Sequence, residues 1–470
     1  MSVTAAAAAE QTPPRSESPP GQAKVAAAVQ DAVSVQNAEA ASEPPDGGPL
    51  AWLQVAGSFF LFFNSWGILG SYGVFQTYYQ AHMTDASVDA IAWIGSIQSC
   101  LLLLVGVLVG PLYDAGYFRS LTLTGAALVF LGMAATSLAT RYWQTLLAQA
   151  FCVGLGAGCL YIPSVAIIPQ YFSARRALAT GVATTGSSLG GVVYPLIVQG
   201  LLPRLGFPWA VRVFAFVSLA TNAFSLAVLR QRTNGPGPGP GPGSGSSPGS
   251  GTGGGGGTDT EKPRRRIMLD LSAYRSASFV VLSAAMFFNV FSYTPPIYYL
   301  QQYSLAHGMA GQGASGLAYY LVAILNAGSI LGRLFPAWLA GRCGPVNVLL
   351  GVSVSVAAVT LCWLAVRTAA GSVAFALAYG FTSGGLVSLP PTVVSILVPD
   401  LGLHGTWLGM LSTTNAFGSL AGPPIAGVLL KVTGGYLGVQ LLSGLGMTVM
   451  TVLVLLLRMM RMGKGRGWIV

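Results

Sequence analysis

Arg333 lies within a long apolar stretch, between Asn326-Ala327-Gly328-Ser329 and Leu334-Phe335-Pro336, and no other charge precedes the basic turn at Arg342. A charge inside a membrane span is expensive enough to imply a role. The planar guanidinium fork suits a carboxylate; the alternative is snorkelling to the nearby interface, since Arg342 follows shortly. A second constellation is Asp114-Ala115-Gly116-Tyr117-Phe118-Arg119, directly after Gly110-Pro111-Leu112-Tyr113. A carboxylate at such a turn can meet basic groups or helix N-termini, which makes Asp114 and Arg119 gate candidates. The competing reading is a solvated turn. Asn64, Tyr72, Gln98, Tyr161, Thr185, Asn289, Tyr293, Asn326 and Asn415 fall mid-block, where polar side chains can line a path. Each could equally serve an interhelical hydrogen bond, worth about 0.6 kcal/mol.

Catalytic chemistry finds no such footing. His82, His307 and His404 sit in separate turns without ligand spacing, and they read as solvated. Gly154, Gly156 and Gly158 lie inside an apolar block and let helices approach closely, so they are not a dinucleotide fingerprint. Gly253–Gly257 lacks the Lys-Ser/Thr ending that grips a nucleotide. No Ser/His/Asp set or metal cluster emerges, so the expectation is a protein that is not an enzyme and uses no cofactor. Cys100, Cys152, Cys159 and Cys362 lie in apolar blocks and Cys343 in a basic turn, which reads as reduced, packing cysteine.

The elements that must carry these residues follow from composition. Of 470 residues, 53% are apolar and 8% charged, where a soluble domain holds about a quarter charged. The apolar residues form blocks of about 20 or more, the length of a membrane span. Helices are favoured over barrel strands, because each block is twice a strand's length and lipid offers open backbone no partner. Twelve spans are expected near 50–75, 90–113, 119–139, 142–169, 175–200, 208–229, 277–302, 314–340, 345–366, 371–397, 404–430 and 436–458. Pro163, Pro195, Pro295-Pro296 and Pro390-Pro391 suggest kinks at working sites.

Residues 1–48, rich in Ala, Pro and Ser, read as a disordered tail with no cleavable signal. Residues 231–273, with Gly235-Pro236 through Gly257 and then Lys262 and Arg264–Arg266, read as a flexible basic linker. They separate a first half at 49–230 from a second at 274–460, before a short tail at 461–470. With the N-terminus inside, the cytoplasmic segments carry 17 of the 23 Lys and Arg, with Arg333 inside a span and Arg141, Arg204, Arg212, Arg367 and Lys431 outside. Both termini are therefore expected in the cytoplasm. The net charge of +10 then reports topology and attraction to the lipid bilayer, with no nucleic acid implied.

The halves echo each other. Gly181, Gly190 and Pro195 repeat as Gly409, Gly418 and Pro423, and Tyr78-Tyr79 as Tyr298-Tyr299. Six plus six spans about a central linker is the arrangement of major facilitator transporters, and the Asp114 turn resembles that superfamily's loop signature. Asp46-Gly47-Gly48 with Ala51-Trp52 resembles the opening of its monocarboxylate porter branch, and Tyr171-Phe172-Ser173-Ala174-Arg175-Arg176 through Gly181 resembles the branch's fifth-span signature. Gly73-Val74-Phe75-Gln76, Asn326-Ala327-Gly328-Ser329 and Gly422-Pro423-Pro424-Ile425 are similar to fungal members.

The resemblance implies an all-α membrane protein in which two six-helix halves rock about a central site, a small-molecule substrate, and protons as a candidate coupling ion. Animal members use a first-span lysine and an acid one turn before the eighth-span arginine; here Gly70 and Ser329 stand there. Without them a strongly hydrated monocarboxylate is poorly served. Aromatics and amides, namely Trp66, Tyr72, Tyr161, Tyr293, Tyr319, Asn64, Asn289 and Asn326, suit a bulkier molecule. The expectation is export of an amphipathic secondary metabolite or organic acid across the cell membrane. Proton-linked or facilitated uptake of a small monocarboxylate is the alternative, a non-transporting nutrient sensor is the alternative of another class, and the vacuolar membrane is the alternative location.

Overall fold

A computed structural model describes residues 46–83, 86–232, 271–309, 320–398 and 401–462. Most of the expected linker, the first 45 residues, the last eight and Tyr319 lie outside the described residues. The first half begins with α1 (Pro49–Tyr79), α2 (Ala90–Asp114), α3 (Phe118–Thr136) and α4 (Tyr142–Gln170). A 53-residue helical run, Arg176–Val228, breaks at Gly206 into α5 (176–205) and α6 (207–228). The second half comprises α7 (Ala277–Ala306), α8 (Leu321–Cys343), α9 (Pro345–Ala365), α10 (Ala369–Leu397), α11 (His404–Thr433) and α12 (Leu437–Met462). The described secondary structure is helical throughout, as backbone surrounded by lipid requires.

Gly206 makes the α5–α6 corner in one residue. Its φ of 75° and ψ of 168° are open to glycine alone at low cost. Elsewhere the breaks fall at unexpected residues. The helices continue through Pro163, Pro195, Pro295-Pro296 and Pro390-Pro391, while α1 is interrupted at Ser65 and Ser71. Both serine hydroxyls turn back onto their own helix, to the Leu61 and Ile68 carbonyls, at 2.8 and 2.6 Å. Such back-bonding competes with the regular ladder and bends helices. In α4 the run Leu146–Val153 is π-helical, a geometry that frequently marks functional sites.

The sequence echo between the halves has a packing basis. A Cβ on Gly190 of α5 would stand 2.8 Å from the Phe63 carbonyl of α1; on Gly418 of α11 it would stand 2.6 Å from the Phe287 carbonyl of α7. Matched glycines therefore let matched helices approach backbone to backbone, the role small residues play where lipid supplies no hydrophobic drive.

Asp46 fastens the chain ahead of α1. Its carboxylate accepts the Ser173 and Ala174 N–H groups at 2.5 and 3.0 Å, and its own N–H donates to the Tyr171 carbonyl at 3.1 Å. Partial burial alone pushes the carboxyl up, but the N–H groups of Ala174, Ser173 and Arg175, with the Arg175 charge, outweigh it and hold it below the ordinary value. A depressed carboxyl stabilises the fold above its unfolded-state value, and that contribution disappears as pH falls through the lowered one. Thermal unfolding should therefore find Asp46→Asn less stable than the parent at neutral pH, with the gap closing in acid.

Candidate functional site

The halves meet along two seams built from small residues. In the first, Gly106 and Gly110 of α2 face Gly409 and Gly405 of α11, so closely that a Cβ on Gly110 would overlap the Gly405 carbonyl. Further along, the Ser99 and Ser419 hydroxyls pair. In the second, Gly181 of α5 rests on Ala337 of α8, and Gly191 rests on the Asn326 amide. Between those contacts the Ser188 hydroxyl donates to Ser329 at 3.2 Å.

Each seam carries one charged latch. Asp114, the last residue of α2, crosses to the start of α11. One carboxylate oxygen accepts the Gly405 N–H at 3.0 Å; the other accepts the Thr406 N–H at 2.6 Å and the Thr406 hydroxyl at 2.7 Å. Those amides are unsatisfied within α11, and the helix dipole adds attraction for the anion. Arg119, the other gate candidate, is exposed at the start of α3. Asp114 thus meets a helix N-terminus of the opposite half, one of the two partners anticipated for it.

Arg333 is buried and turned sideways, with no snorkelling toward Arg342. Its guanidinium donates to the Thr184 carbonyl and the Ser187 hydroxyl of α5, both at 2.5 Å, and through Nε to Ser329 at 3.2 Å. The Asp114 latch lies at the end of the bundle that carries Arg119, Arg175, Arg176 and Arg342. The Arg333 latch lies deeper, about 12 Å along α8 from Gly341 at 1.5 Å per residue.

Between the seams lies a cavity of about 50 Å3, walled by Trp66 of α1, Tyr161 of α4, Asn289 and Tyr293 of α7, Pro390 of α10 and Asn415 of α11. Trp66 and Tyr161 meet edge to face at 5.7 Å. Trp66 Nε1, Asn289 Oδ1 and Asn415 Oδ1 are buried without a hydrogen-bond partner. Unpaired polar atoms in a dry interior each cost about 1–3 kcal/mol, a cost that a ligand supplying the partners would remove. Pockets for drug-sized ligands are usually about 300–1,000 Å3, so the cavity in this conformation is too small for such a ligand.

Tyr161, Asn289, Tyr293 and Asn415 are thereby brought together. The other polar candidates stand elsewhere. Asn64 is satisfied within the first half, donating to Thr221 at 2.8 Å and Asn222 at 3.1 Å and accepting from the Tyr194 hydroxyl at 2.6 Å. Tyr72 donates to the Ile91 carbonyl at 2.5 Å, and Thr185 to the Val182 carbonyl of its own helix at 2.6 Å. Gln98 is buried beside Gly154, its Oε1 unpaired; Asn326 donates to the Val322 carbonyl at 2.9 Å from the second seam. Ser99, Met286 and Ser412 also line the cavity and had no distinguishing sequence signal. His404, read as solvated, is instead 3% exposed at the head of α11, with Nε2 2.9 Å from the Ser395 hydroxyl of α10.

The sequence pattern of the Major Facilitator Superfamily matches residues 55–400. The chain belongs to that superfamily. This facilitator is 39% identical over 387 residues to the MFS-type transporter dbaD of Emericella nidulans, covering 82% of this chain and 80% of the relative. It is 36% identical over 431 residues to the aspyridones efflux protein apdF of the same fungus, covering 91% and 82%. It is 32% identical over 434 residues to the agnestins efflux protein AgnL12 of Paecilomyces divaricatus, covering 91% and 93%. The fold is that of FucP in its outward conformation, with a TM-score of 0.61 at 16% identity, covering 86% of this chain and 98% of FucP. The facilitator is a multi-pass membrane transporter, and its twelve helices are the superfamily's two six-helix halves.

Proposed function

We propose that this facilitator exports an amphipathic secondary metabolite from the cytoplasm across the cell membrane. In this reading the basic end faces the cytoplasm, as the Lys and Arg distribution favours, and the chain stands in the fungal monocarboxylate-porter-like branch. The carrying observation is the cavity wall, in which aromatic rings alternate with the unpaired polar atoms of Trp66, Asn289 and Asn415. Such a wall suits a largely apolar molecule held by a few hydrogen bonds. The relatives named as efflux proteins for aspyridones and agnestins favour the same direction and substrate class.

Counterflow in liposomes, with a panel of aromatic metabolites against lactate and pyruvate, tests the assignment. Saturable transport of lactate with none of the larger molecules would overturn it. Asn289→Leu gives a sharper expectation. It removes a buried unpaired carbonyl, so thermal stability should rise by about 1 kcal/mol or more, while substrate affinity falls at least about tenfold. A fall in stability with affinity unchanged would mean that Asn289 serves the fold and contributes nothing to the ligand.

An organic anion is the second reading, favoured by the buried charge of Arg333. Protons remain the candidate coupling ion. Among the described residues of the spans the acidic side chain is Asp114 alone, at the end of α2, so a proton carried on a buried mid-span carboxylate is not part of the proposal.

A further inference from the structure

The surface of the second half carries a groove of about 320 Å3 between α8, α9 and α10. Phe335, Leu339, Val348, Val352 and Phe381 form its apolar walls. Its hydroxyls are spent on their own helices, Ser355 on the Gly351 carbonyl at 2.9 Å and Thr382 on the Ala378 carbonyl at 2.8 Å. From Asn347 to Ser355 the α9 wall rises about 12 Å, close to half of the about 30 Å hydrocarbon thickness. The groove is therefore one leaflet deep, and it opens at the basic end.

Two arginines lie on the helices toward that end. Arg342 lies over the Trp338 ring, 4.2 Å from its centroid. Arg458 donates through Nε to the Asn347 amide oxygen at 2.6 Å, fixing its guanidinium where the groove begins. No Asp or Glu occurs on α8, α9, α10 or α12. The walls match a hydrocarbon chain and the opening matches an anionic headgroup.

We propose that this groove binds one anionic phospholipid of the basic-end leaflet, its acyl chain along the groove and its phosphate at Arg342 and Arg458. Gly351 keeps the wall open. A Cβ there meets nothing within 4 Å, so a larger residue can start into the groove without a clash at its first atom.

Native mass spectrometry of the full-length protein, released from nanodiscs of mixed phosphatidylglycerol and phosphatidylcholine, tests this. The parent should retain one phosphatidylglycerol after the other lipids are stripped, and Gly351→Trp should retain none. Arg458→Gln, which leaves the walls intact, should lower retention about fivefold, the effect of one surface cation on an anionic lipid. Equal retention of phosphatidylcholine overturns the proposal, as does undiminished retention in both variants. A dimer that cross-links through Cys343, which lines the groove, would also overturn it, because a second copy would then be the occupant.

Discussion

Asp114→Asn should loosen the contact between α2 and α11 at the basic end. The carboxylate takes two backbone N–H groups and one hydroxyl from the start of α11. An amide presents one acceptor oxygen, and its NH2 group faces those donors. Loss of one charge-assisted bond across a buried seam costs about 2 kcal/mol, which moves the balance between shut and open gate by roughly 30-fold. A spin-label pair across the basic ends of α2 and α11 should show the longer distance gaining population, and flux should fall by a comparable factor as the far-side-open state becomes rare. Unchanged distances and flux at normal expression would mean that the glycine seam alone holds the gate.

Arg333→Ala should lower transport by more than tenfold, and Arg333→Lys should recover little of it. The guanidinium joins three acceptors in different directions, two on α5 and one on its own helix. A lysine ammonium is a point charge without the planar fork, and alanine removes all three charge-assisted bonds, leaving only the weaker Ser187–Thr184 and Ser188–Ser329 contacts at 3.0 and 3.2 Å. The comparison is read as initial flux in liposomes beside thermal stability. Full activity in the lysine variant would reduce the role of Arg333 to charge alone.

The spans were legible because lipid allows only one answer for an apolar block of this length. Each expected span matches a helix, and α8 is described from Leu321, the first residues of its expected span lying outside the described residues. Asp114 stood out because a carboxylate beside a glycine-proline turn is rare in so uncharged a chain. Its receptor did not, because nothing in Gly405-Thr406 announces that α11 lies against α2. Polar residues in mid-span showed depth but not direction. Asn64 and Asn289 look alike in the sequence, yet Asn64 is consumed by Thr221 and Asn222 while Asn289 points an unpaired oxygen into the cavity. His404 misled because it follows Asp400 and Gly402, a hydrophilic context, while its burial depends on Ser395 from the preceding helix. The π-helical run in α4 leaves no compositional mark, since a change in hydrogen-bond register needs no particular residue.

The corner at Gly206 also limits what the chain can accommodate in evolution and in the laboratory. With one residue between α5 and α6, there is no slack to absorb an inserted epitope, glycosylation sequon or protease site, because added residues must be taken from one helix or the other. Loop-length variation among homologues, ordinarily the cheapest change a protein can make, is closed off at this point.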